Sequence, residues 1–194
     1  LEMTLTTNLG KKIHFYTRIK YYDSDFFLKQ KLEFVKKFHT ASFAEGKTFA
    51  YHKYLETYTT PTKSLAKVSI DSDPKLVMWN GLHPTKLTTP IPVIKELNIE
   101  TAAIEQNYYI RIKSNGMSQT CQVKEYYRVR YSGGQIYLLN FQRTMDVVFS
   151  PSMISTANSE FRLGITDASG LQLTASKSNK NVAFVRNGEL WYYD

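Results

Sequence analysis

The sequence contains a single cysteine, Cys121, among 194 residues. One cysteine cannot close a disulfide within the chain, so a small disulfide-stapled fold is excluded. A zinc or iron–sulfur site built from several cysteine thiolates is excluded for the same reason. Because Cys121 lies inside an alternating apolar segment with no histidine nearby in sequence, we expect it to pack as a small hydrophobic residue and not to act as a nucleophile.

Long apolar runs are also missing from the chain. No run of about 18 apolar residues occurs, so the sequence predicts no transmembrane helix. No signal peptide is recognisable either. The chain begins Leu1-Glu2-Met3, which is not a natural start and is typical of a trimmed sequence. Such trimming is consistent with the removal of an N-terminal membrane anchor.

Motifs of enzyme chemistry are absent as well. The chain has no H-E-x-x-H, no G-x-S-x-G and no glycine-rich phosphate loop. Its four histidines are scattered, and His39 lies close to an apolar helical stripe, where we expect a partly buried packing residue. The carboxylate pairs Asp23/Asp25 and Asp71/Asp73 precede predicted helices and are expected to cap them. The sequence therefore predicts no catalytic, cofactor-binding or metal-binding residue, and no cofactor.

The chain is rich in aromatic and basic side chains. It has 14 Tyr and 11 Phe, which favours a sheet-rich fold because aromatic rings suit a half-buried pleated surface. The net charge is +8, and residues 1–67 hold 12 basic and 6 acidic side chains. Such a basic region is typical of attraction to nucleic acid or lipid headgroups, or of a solvated helix face. The interleaved acidic residues favour the solvated face.

The first half of the chain is predicted to be largely helical. Residues 12–22 fit a strand or a lead-in segment, and Asp23-Ser24-Asp25 is expected to cap the helix that follows. Apolar residues then recur at helical spacing from Phe27 to Phe43, with a stop near Gly46. A second helix is predicted to end at Thr60-Pro61 and to carry Tyr51, Tyr54, Leu55 and Tyr58 on one face. A third, short helix is predicted over residues 61–67. A fourth is predicted over Lys75 to Trp79, with Asn80-Gly81 closing it.

From Val93 onward the apolar period changes to two, which predicts an antiparallel meander of at least three long strands. Tight turns are expected at Ser114-Asn115-Gly116 and at Ser132-Gly133-Gly134. On the strand over 135–149, both faces look apolar, which favours an internal strand. On the strand over residues 117–131, one face is predicted to carry Cys121, Val123, Tyr127, Val129 and Tyr131. On the next strand, one side is predicted to carry Ile136 and Leu138, and the other Tyr137, Leu139 and Phe141.

The tail over residues 151–194 is predicted to contain short strands, with Phe161, Leu163 and Ile165 alternating and a turn at Asn187-Gly188. Forty-four residues scarcely support a core of their own, so packing on the main domain is favoured. We therefore predict an α+β domain over 1–150 and a β-rich C-terminal extension over 151–194 that packs on it.

Aromatic and basic residues alternate in the segment from Tyr126 to Tyr131, which includes Arg128 and Arg130. Rings beside cations on a sheet are typical of single-strand nucleic-acid binding. An ordinary strand with one core face and one basic exposed face explains the pattern equally well, and no RNP-type consensus is present. The sequence therefore favours the ordinary strand, and nucleic acid is not expected as a partner.

Helices followed by a long curved antiparallel sheet predict an α+β fold of the NTF2-like kind. Within that class, three parts of the chain carry a resemblance: the helical stretch Phe26–Tyr58, the alternating Leu97–Ile112, and Tyr126–Tyr131 through Ile136–Phe141. On these residues the chain resembles the periplasmic domain of the VirB8/TraE family of type IV secretion and conjugation systems, and the last of them is similar to the closing hairpin of the family. The Asn-Pro-x-Gly motif that follows the last strand in many members is absent, since Ser150-Pro151 stands there, and residues 152–194 are additional.

The resemblance implies a non-enzymatic assembly component of a secretion channel, located at the periplasmic face of the bacterial inner membrane. It implies binding to a second copy as a homodimer and to other channel subunits, with the basic half facing an anionic membrane surface. No small-molecule substrate is implied. Two alternatives stay open: a small enzyme or ligand-binding protein that uses a deep pocket with a convergent Asp or His and a Tyr, and a β-rich binding module of a virus or cell surface.

Overall fold

The computed structural model describes residues 1–17, 19, 21–44, 48–57, 64–114, 117–150, 154–155, 160–161, 172–178, 180–186 and 189–194. It is a mixed α+β structure, 16% helical and 47% strand, so the predicted α+β class is confirmed. The elements are β1 (Glu2–Thr6), β2 (Lys12–Tyr16), α1 (Leu28–Ser42), β3 (Lys67–Ser69), α2 (Pro74–Val77), β4 (Thr85–Lys86), β5 (Val93–Leu97), β6 (Thr101–Ser114), β7 (Met117–Ser132), β8 (Gln135–Val147), β9 (Ile154–Ser155), β10 (Glu160–Phe161), β11 (Leu173–Ala175), β12 (Val182–Arg186) and β13 (Glu189–Tyr193).

Six strands form one antiparallel sheet in the order β3-β8-β7-β6-β4, and β5 also pairs with β6. The long strands β6, β7 and β8 have 14, 16 and 13 residues, which confirms the predicted meander. Gly133 and Gly134 join β7 to β8 with φ angles of 57° and 76°, as a two-residue type I′ turn requires. The ladder between β6 and β7 extends to the pair Ser114–Met117, and the predicted turn residues 115–116 lie outside the described residues.

A bulge in β8 changes which of its side chains face inward. Val129 of β7 pairs with Leu138, whereas Arg128 pairs with Asn140, so Leu139 has no opposite residue. The extra residue shifts the alternation by one position, and Leu138 and Phe141 are both buried while Leu139 is exposed. The prediction that this strand is internal is confirmed, because β8 lies between β3 and β7 in the sheet. Only one of its faces is buried, and the bulge moves the apolar residues of that face out of simple alternation.

Helix α1 packs its apolar stripe against the inward face of the sheet. Val35 and Phe38 are fully buried. The Phe38 ring lies 5.6 Å from the ring of Tyr127 on β7 and 5.0 Å from that of Phe141 on β8, measured between centroids. Edge-to-face and tilted ring pairs of this kind stabilise a core beyond the area they bury. The predicted helical stripe is confirmed. The helix ends at Ser42, and Gly46 lies outside the described residues.

The start of α1 differs from its prediction. No side chain caps the helix, and Phe27 precedes it in the left-handed conformation, with φ of 55°. The Ser24 hydroxyl and the Asp25 carboxylate instead accept hydrogen bonds from the backbone amides of Phe26 and Phe27. These bonds form a turn ahead of the helix, so the predicted capping role of Asp23 and Asp25 is wrong. The buried Lys31 ammonium fixes this turn by donating to the carbonyl oxygen of Phe26 at 2.7 Å.

The two helices predicted after α1 are wrong where the structure describes them. Only a 3₁₀ turn, His52–Tyr54, forms in the region of the second, and Lys67 begins β3 instead of ending a third helix. Tyr51 and Tyr54 pack their rings on Phe34 at 5.7 and 4.9 Å. One 3₁₀ turn places residues three apart on the same side, so no longer helix is needed for these contacts. Residues 58–63 lie outside the described residues.

The short helix α2 follows its prediction closely. The Asp73 carboxylate accepts from the amide of Lys75 at 2.8 Å and caps the helix. A 3₁₀ turn, Trp79–Gly81, closes the segment, with Asn80 and Gly81 at positive φ. Asp71 does not cap α2: it accepts a hydrogen bond from the Ser69 hydroxyl in the loop before it.

The C-terminal part forms a three-stranded sheet, β11-β12-β13. Its Phe184 and Trp191 rings lie 5.1 and 4.8 Å from the ring of Phe149, just beyond β8. The ladder between β12 and β13 extends to the pair Arg186–Glu189, and the predicted turn at 187–188 lies outside the described residues, as does most of the predicted strand at 161–165. The division of the chain at residue 150 stays a prediction.

Candidate functional site

Glu125 is a fully buried carboxylate on the inward face of β7. It lies between Val123 and Tyr127 on that face, because alternate residues of a strand point the same way. Gln106 of β6 and Arg143 of β8 are its direct neighbours across the two ladders. Three polar side chains thus form a row across the three long strands, under α1, in an otherwise apolar layer.

Four side chains donate hydrogen bonds to the Glu125 carboxylate. The Tyr108 hydroxyl donates to Oε1 at 2.9 Å. At Oε2, Gln106 Nε2 donates at 2.6 Å, the Tyr127 hydroxyl at 2.8 Å and His39 Nδ1 at 3.0 Å. A carboxylate with four donors is well satisfied even in a dry core. We refer to Glu125, His39, Gln106, Tyr108 and Tyr127 as the Glu125 cluster.

The charge state of the Glu125 cluster follows from these contacts. Burial alone raises the pKa of Glu125, but the hydrogen bond and charge of His39, with the charge of Arg143 and the Gln106 bond, lower it to about 2. Burial, and then the charge of Glu125, raises the pKa of both Tyr108 and Tyr127 well above its usual value. At neutral pH the cluster therefore contains an ionised carboxylate and two neutral phenols.

The cluster fixes the tautomer of His39. An ionised carboxylate only accepts hydrogen bonds, so Nδ1 of His39 carries a proton and donates it to Glu125. The ring is 4% exposed, and it lies against the rings of Tyr108 and Phe43 at 4.9 and 5.0 Å. Within the part of the chain that the structure describes, Nε2 is buried and has no hydrogen-bond partner. A buried polar atom without a partner is costly in a native core.

Arg143 connects the Glu125 cluster to α2. Its guanidinium donates to the carbonyl oxygens of Val77 at 2.9 Å and Leu76 at 2.7 Å. It also lies 3.6 Å from the centroid of the Trp79 ring, where a cation interacts favourably with the π-system. These contacts satisfy the carbonyl end of α2 and place a positive charge near Glu125, so Arg143 acts as a structural counter-charge.

A cavity of about 620 Å³ lies between α1 and the segment 86–94, and its wall includes His39 and Gln106 of the cluster. Leu32 on the helix and Ile94 on β5 form part of its apolar lining. A larger groove of about 840 Å³ lies beside Tyr51, Tyr54 and the β7–β8 turn, but none of the buried unpartnered atoms lines it within the described residues. The smaller cavity is therefore the candidate binding site.

A second candidate surface is the N-terminal hairpin. β1 and β2 form a separate two-stranded sheet, in which Met3 pairs with Phe15 and Leu5 with Ile13. All four side chains are exposed, by 37% to 54%. The opposite face is polar, and there His14 Nδ1 lies 2.7 Å from Glu2 Oε1. We call the apolar side, which consists of Met3, Leu5, Ile13 and Phe15, the hairpin face.

The structure shows where the residues that the sequence singled out lie, and it adds one residue that the sequence analysis did not identify. Cys121 is buried in the apolar layer, and burial raises the pKa of its thiol to about 11, so its predicted packing role is confirmed. His39 is more buried than predicted and is also paired with a carboxylate. Glu125 was missed, although it interrupts the apolar stripe of β7 between Val123 and Tyr127. A single carboxylate inside such a stripe is the signal that could have identified it.

The alternating segment from Tyr126 to Tyr131 forms an ordinary strand, as predicted. Tyr127 and Val129 are buried, and Arg128 is exposed on the other face. Arg128 lies 3.7 Å from Glu96, and the Arg130 guanidinium lies 4.9 Å from the centroid of the Tyr137 ring. Glu96 thus offsets part of the charge of Arg128, and Arg130 lies over an aromatic ring.

Comparisons with known proteins identify no relative of this chain. No family model, no curated protein and no solved structure matches it. Among the described residues, no group of three or more His, Cys, Asp or Glu side chains is arranged to hold a metal ion. No helix in the same part of the chain is long and apolar enough to cross a bilayer.

Proposed function

We propose that this protein is a non-enzymatic assembly component of a bacterial type IV secretion or conjugation channel, and that it acts through self-association and contacts with other subunits. The resemblance to the VirB8/TraE periplasmic domains, including an NTF2-like arrangement of helix and sheet, is part of this proposal. So is a location at the periplasmic face of the inner membrane. The observation that carries the proposal is the exposed hairpin face.

An isolated two-stranded hairpin is marginally stable in water, and an apolar face stabilises it only when something covers it. All five residues of β1 and all five of β2 are exposed. The hairpin face therefore has the composition of a protein contact surface and is uncovered in the single chain.

A second copy of the chain is the partner that the hairpin face fits. Its four apolar side chains contain no charge, so two copies related by a two-fold axis meet without an unpaired charge. Stable interfaces use about 20–30 residues on each side, far more than this face provides. We therefore expect a weak dimer that forms with increasing concentration, as is suitable for a subunit that is secured by further contacts in a larger assembly.

Sedimentation equilibrium over a concentration series tests the proposal. We expect a reversible monomer–dimer equilibrium that is lost in the double variant Met3→Ser/Phe15→Ser. Tyr16→Ser is the matched control, because Tyr16 is an exposed aromatic residue, 77% accessible, on the opposite face of β2. A wild-type protein that stays monomeric at every concentration contradicts the proposal, as does a dimer that both variants leave intact.

A further inference from the structure

The cavity beside α1 has the features of a small-molecule site, independently of the hairpin face. Its volume of about 620 Å³ lies within the range of about 300–1,000 Å³ that ligand pockets occupy. Much of its wall is apolar and comes from elements far apart in the chain. Leu32 lies on α1, Pro90 and Pro92 belong to the connection between β4 and β5, and Ile94 lies on β5.

One polar group at this cavity lacks a partner. His39 lines it, and the hydrogen bond from Nδ1 to Glu125 holds the ring in one orientation. Its Nε2 is buried and unpartnered among the described residues. Because Nε2 is buried, a ligand atom reaches it only when the side chains around it shift, and a hydrogen bond to it would then remove the cost of the unpaired group. The side chain of Gln106 adds a second polar group to the same wall.

The cavity is also positively charged. Lys29, Lys36 and Lys86 line it, and within the described ranges no carboxylate forms an ion pair with any of them at 4.0 Å or less. Lys86 Nζ lies 4.4 Å from the centroid of the Phe43 ring. Glu33 also lines the cavity, but Lys37 lies 2.9 Å from its carboxylate and compensates its charge. The surroundings therefore favour an anionic group.

We infer that this cavity binds a small apolar molecule carrying one carboxylate, with the apolar part against Leu32 and Ile94 and the acid group at Nε2 of His39. One proton forms the hydrogen bond between Nε2 and the acid group, and it is taken up from solvent on binding where Nε2 and the free acid are both unprotonated. The lysines attract the negative charge of the free ligand. The Glu125 cluster positions His39, and no bond of the ligand is broken.

Calorimetric titration with octanoate and with 1-octanol tests the inference, because the two probes share a chain and differ in the acid group. We expect octanoate to bind at least about tenfold more tightly than octanol. His39→Asn retains a side-chain amide that can donate to Glu125 and removes Nε2. This variant is expected to lose most of the preference for octanoate while still binding octanol, and the lysines account for the preference that remains. His52→Asn, the same change outside the cavity, should leave both affinities unchanged.

A second measurement covers the case in which His39→Asn fails to fold. In the wild-type protein, the ¹⁵N resonance of His39 Nε2 is expected to shift when octanoate is added and to stay in place with octanol. The inference is overturned if octanoate shows no saturable binding at millimolar concentration, or if octanol binds as tightly. It is also overturned if the folded His39→Asn variant retains the full preference for octanoate that the wild-type protein shows.

Discussion

The Glu125 cluster buries polar side chains, whereas the hairpin face exposes apolar ones. In the cluster, a charge is fully buried, and four donors satisfy it. In the hairpin face, four apolar side chains are exposed although the strands pair in register. Correct pairing of two strands therefore does not by itself bury their apolar side chains. The charge of Glu125 is satisfied within one chain, whereas the apolar side chains of the hairpin face stay uncovered there.

The largest effect is expected when the cluster loses its charge. In Glu125→Gln, one carboxylate oxygen is replaced by an NH₂ group that faces donors, so buried donors are left without an acceptor. Breaking such a network costs roughly 3–5 kcal/mol of unfolding free energy. Denaturant titration measures the loss.

The matched control for this substitution is Glu96→Gln on the solvent face. Glu96 is 43% exposed and lies 3.7 Å from Arg128, a pair for which a cost of at most about 1 kcal/mol is expected. Equal losses in the two variants would show that the cluster contributes no more than a surface ion pair, and the contrast with the hairpin face would disappear.

The pH dependence of stability gives the next largest effect. In the folded state the pKa of Glu125 falls from its ordinary 4.5 to about 2. A lowered carboxylate pKa adds stability that is fully present above pH 4.5 and is lost as the pH falls toward 2. The shift corresponds to roughly 3 kcal/mol. Denaturant titrations between pH 6 and pH 2 should show this loss, and the curve for Glu125→Gln should be flatter. Parallel curves would contradict the assignment.

Two glycines with nearly the same backbone conformation lie in turns of the two regions, one in the β7–β8 turn of the main sheet and one in the N-terminal hairpin. Gly134 in the β7–β8 turn has φ of 76° and Gly10 in the N-terminal hairpin has φ of 75°, and a Cβ atom at either meets nothing within 4 Å. Alanine therefore introduces only backbone strain of about 1 kcal/mol at each.

We expect Gly134→Ala to lower the global unfolding free energy by about that amount. We expect Gly10→Ala to leave it unchanged, because the hairpin can open while the sheet stays folded. Denaturant titration measures the first effect, and amide hydrogen exchange in β1 and β2 measures the second. A global loss from Gly10→Ala would show that the hairpin is part of the cooperative core.

The smallest effect is expected on the hairpin face itself. The side chains of Met3 and Phe15 are each 48% exposed in the single chain, so serine at both positions should change the unfolding free energy of the monomer by less than about 0.5 kcal/mol. Thermal or denaturant unfolding at a concentration below dimer formation provides the measurement. A larger loss would mean that this face is already packed within one chain.

The sequence was a sufficient guide to the sheet and to α1. Period-two alternation predicted β6, β7 and β8, and the glycine pair Gly133-Gly134 predicted their turn. The predicted helix after α1 failed because Tyr51 and Tyr54 are three residues apart, a spacing that a single 3₁₀ turn also satisfies. Periodicity over so few residues does not distinguish the two.

The candidate site was much harder to predict. The donors to Glu125 come from α1, β6 and β7, and His39 is 86 positions away in the chain. No local pattern encodes a contact of that separation, because it depends on where α1 crosses the sheet. Likewise, the absence of a hydrogen-bond partner for Nε2 of His39 among the described residues depends on how the side chains pack and not on the spacing of residues in the sequence.

The bulge at Leu139 has a consequence for how β8 can vary over evolution. Elsewhere in a paired strand, inserting or deleting one residue turns every later side chain to the wrong face. Leu139 has no partner on β7, so its deletion would leave the pairs on both sides in their present register. The strand thus contains one position where its length can change by a residue without moving Glu125, Arg143 or Phe141 from the inward face.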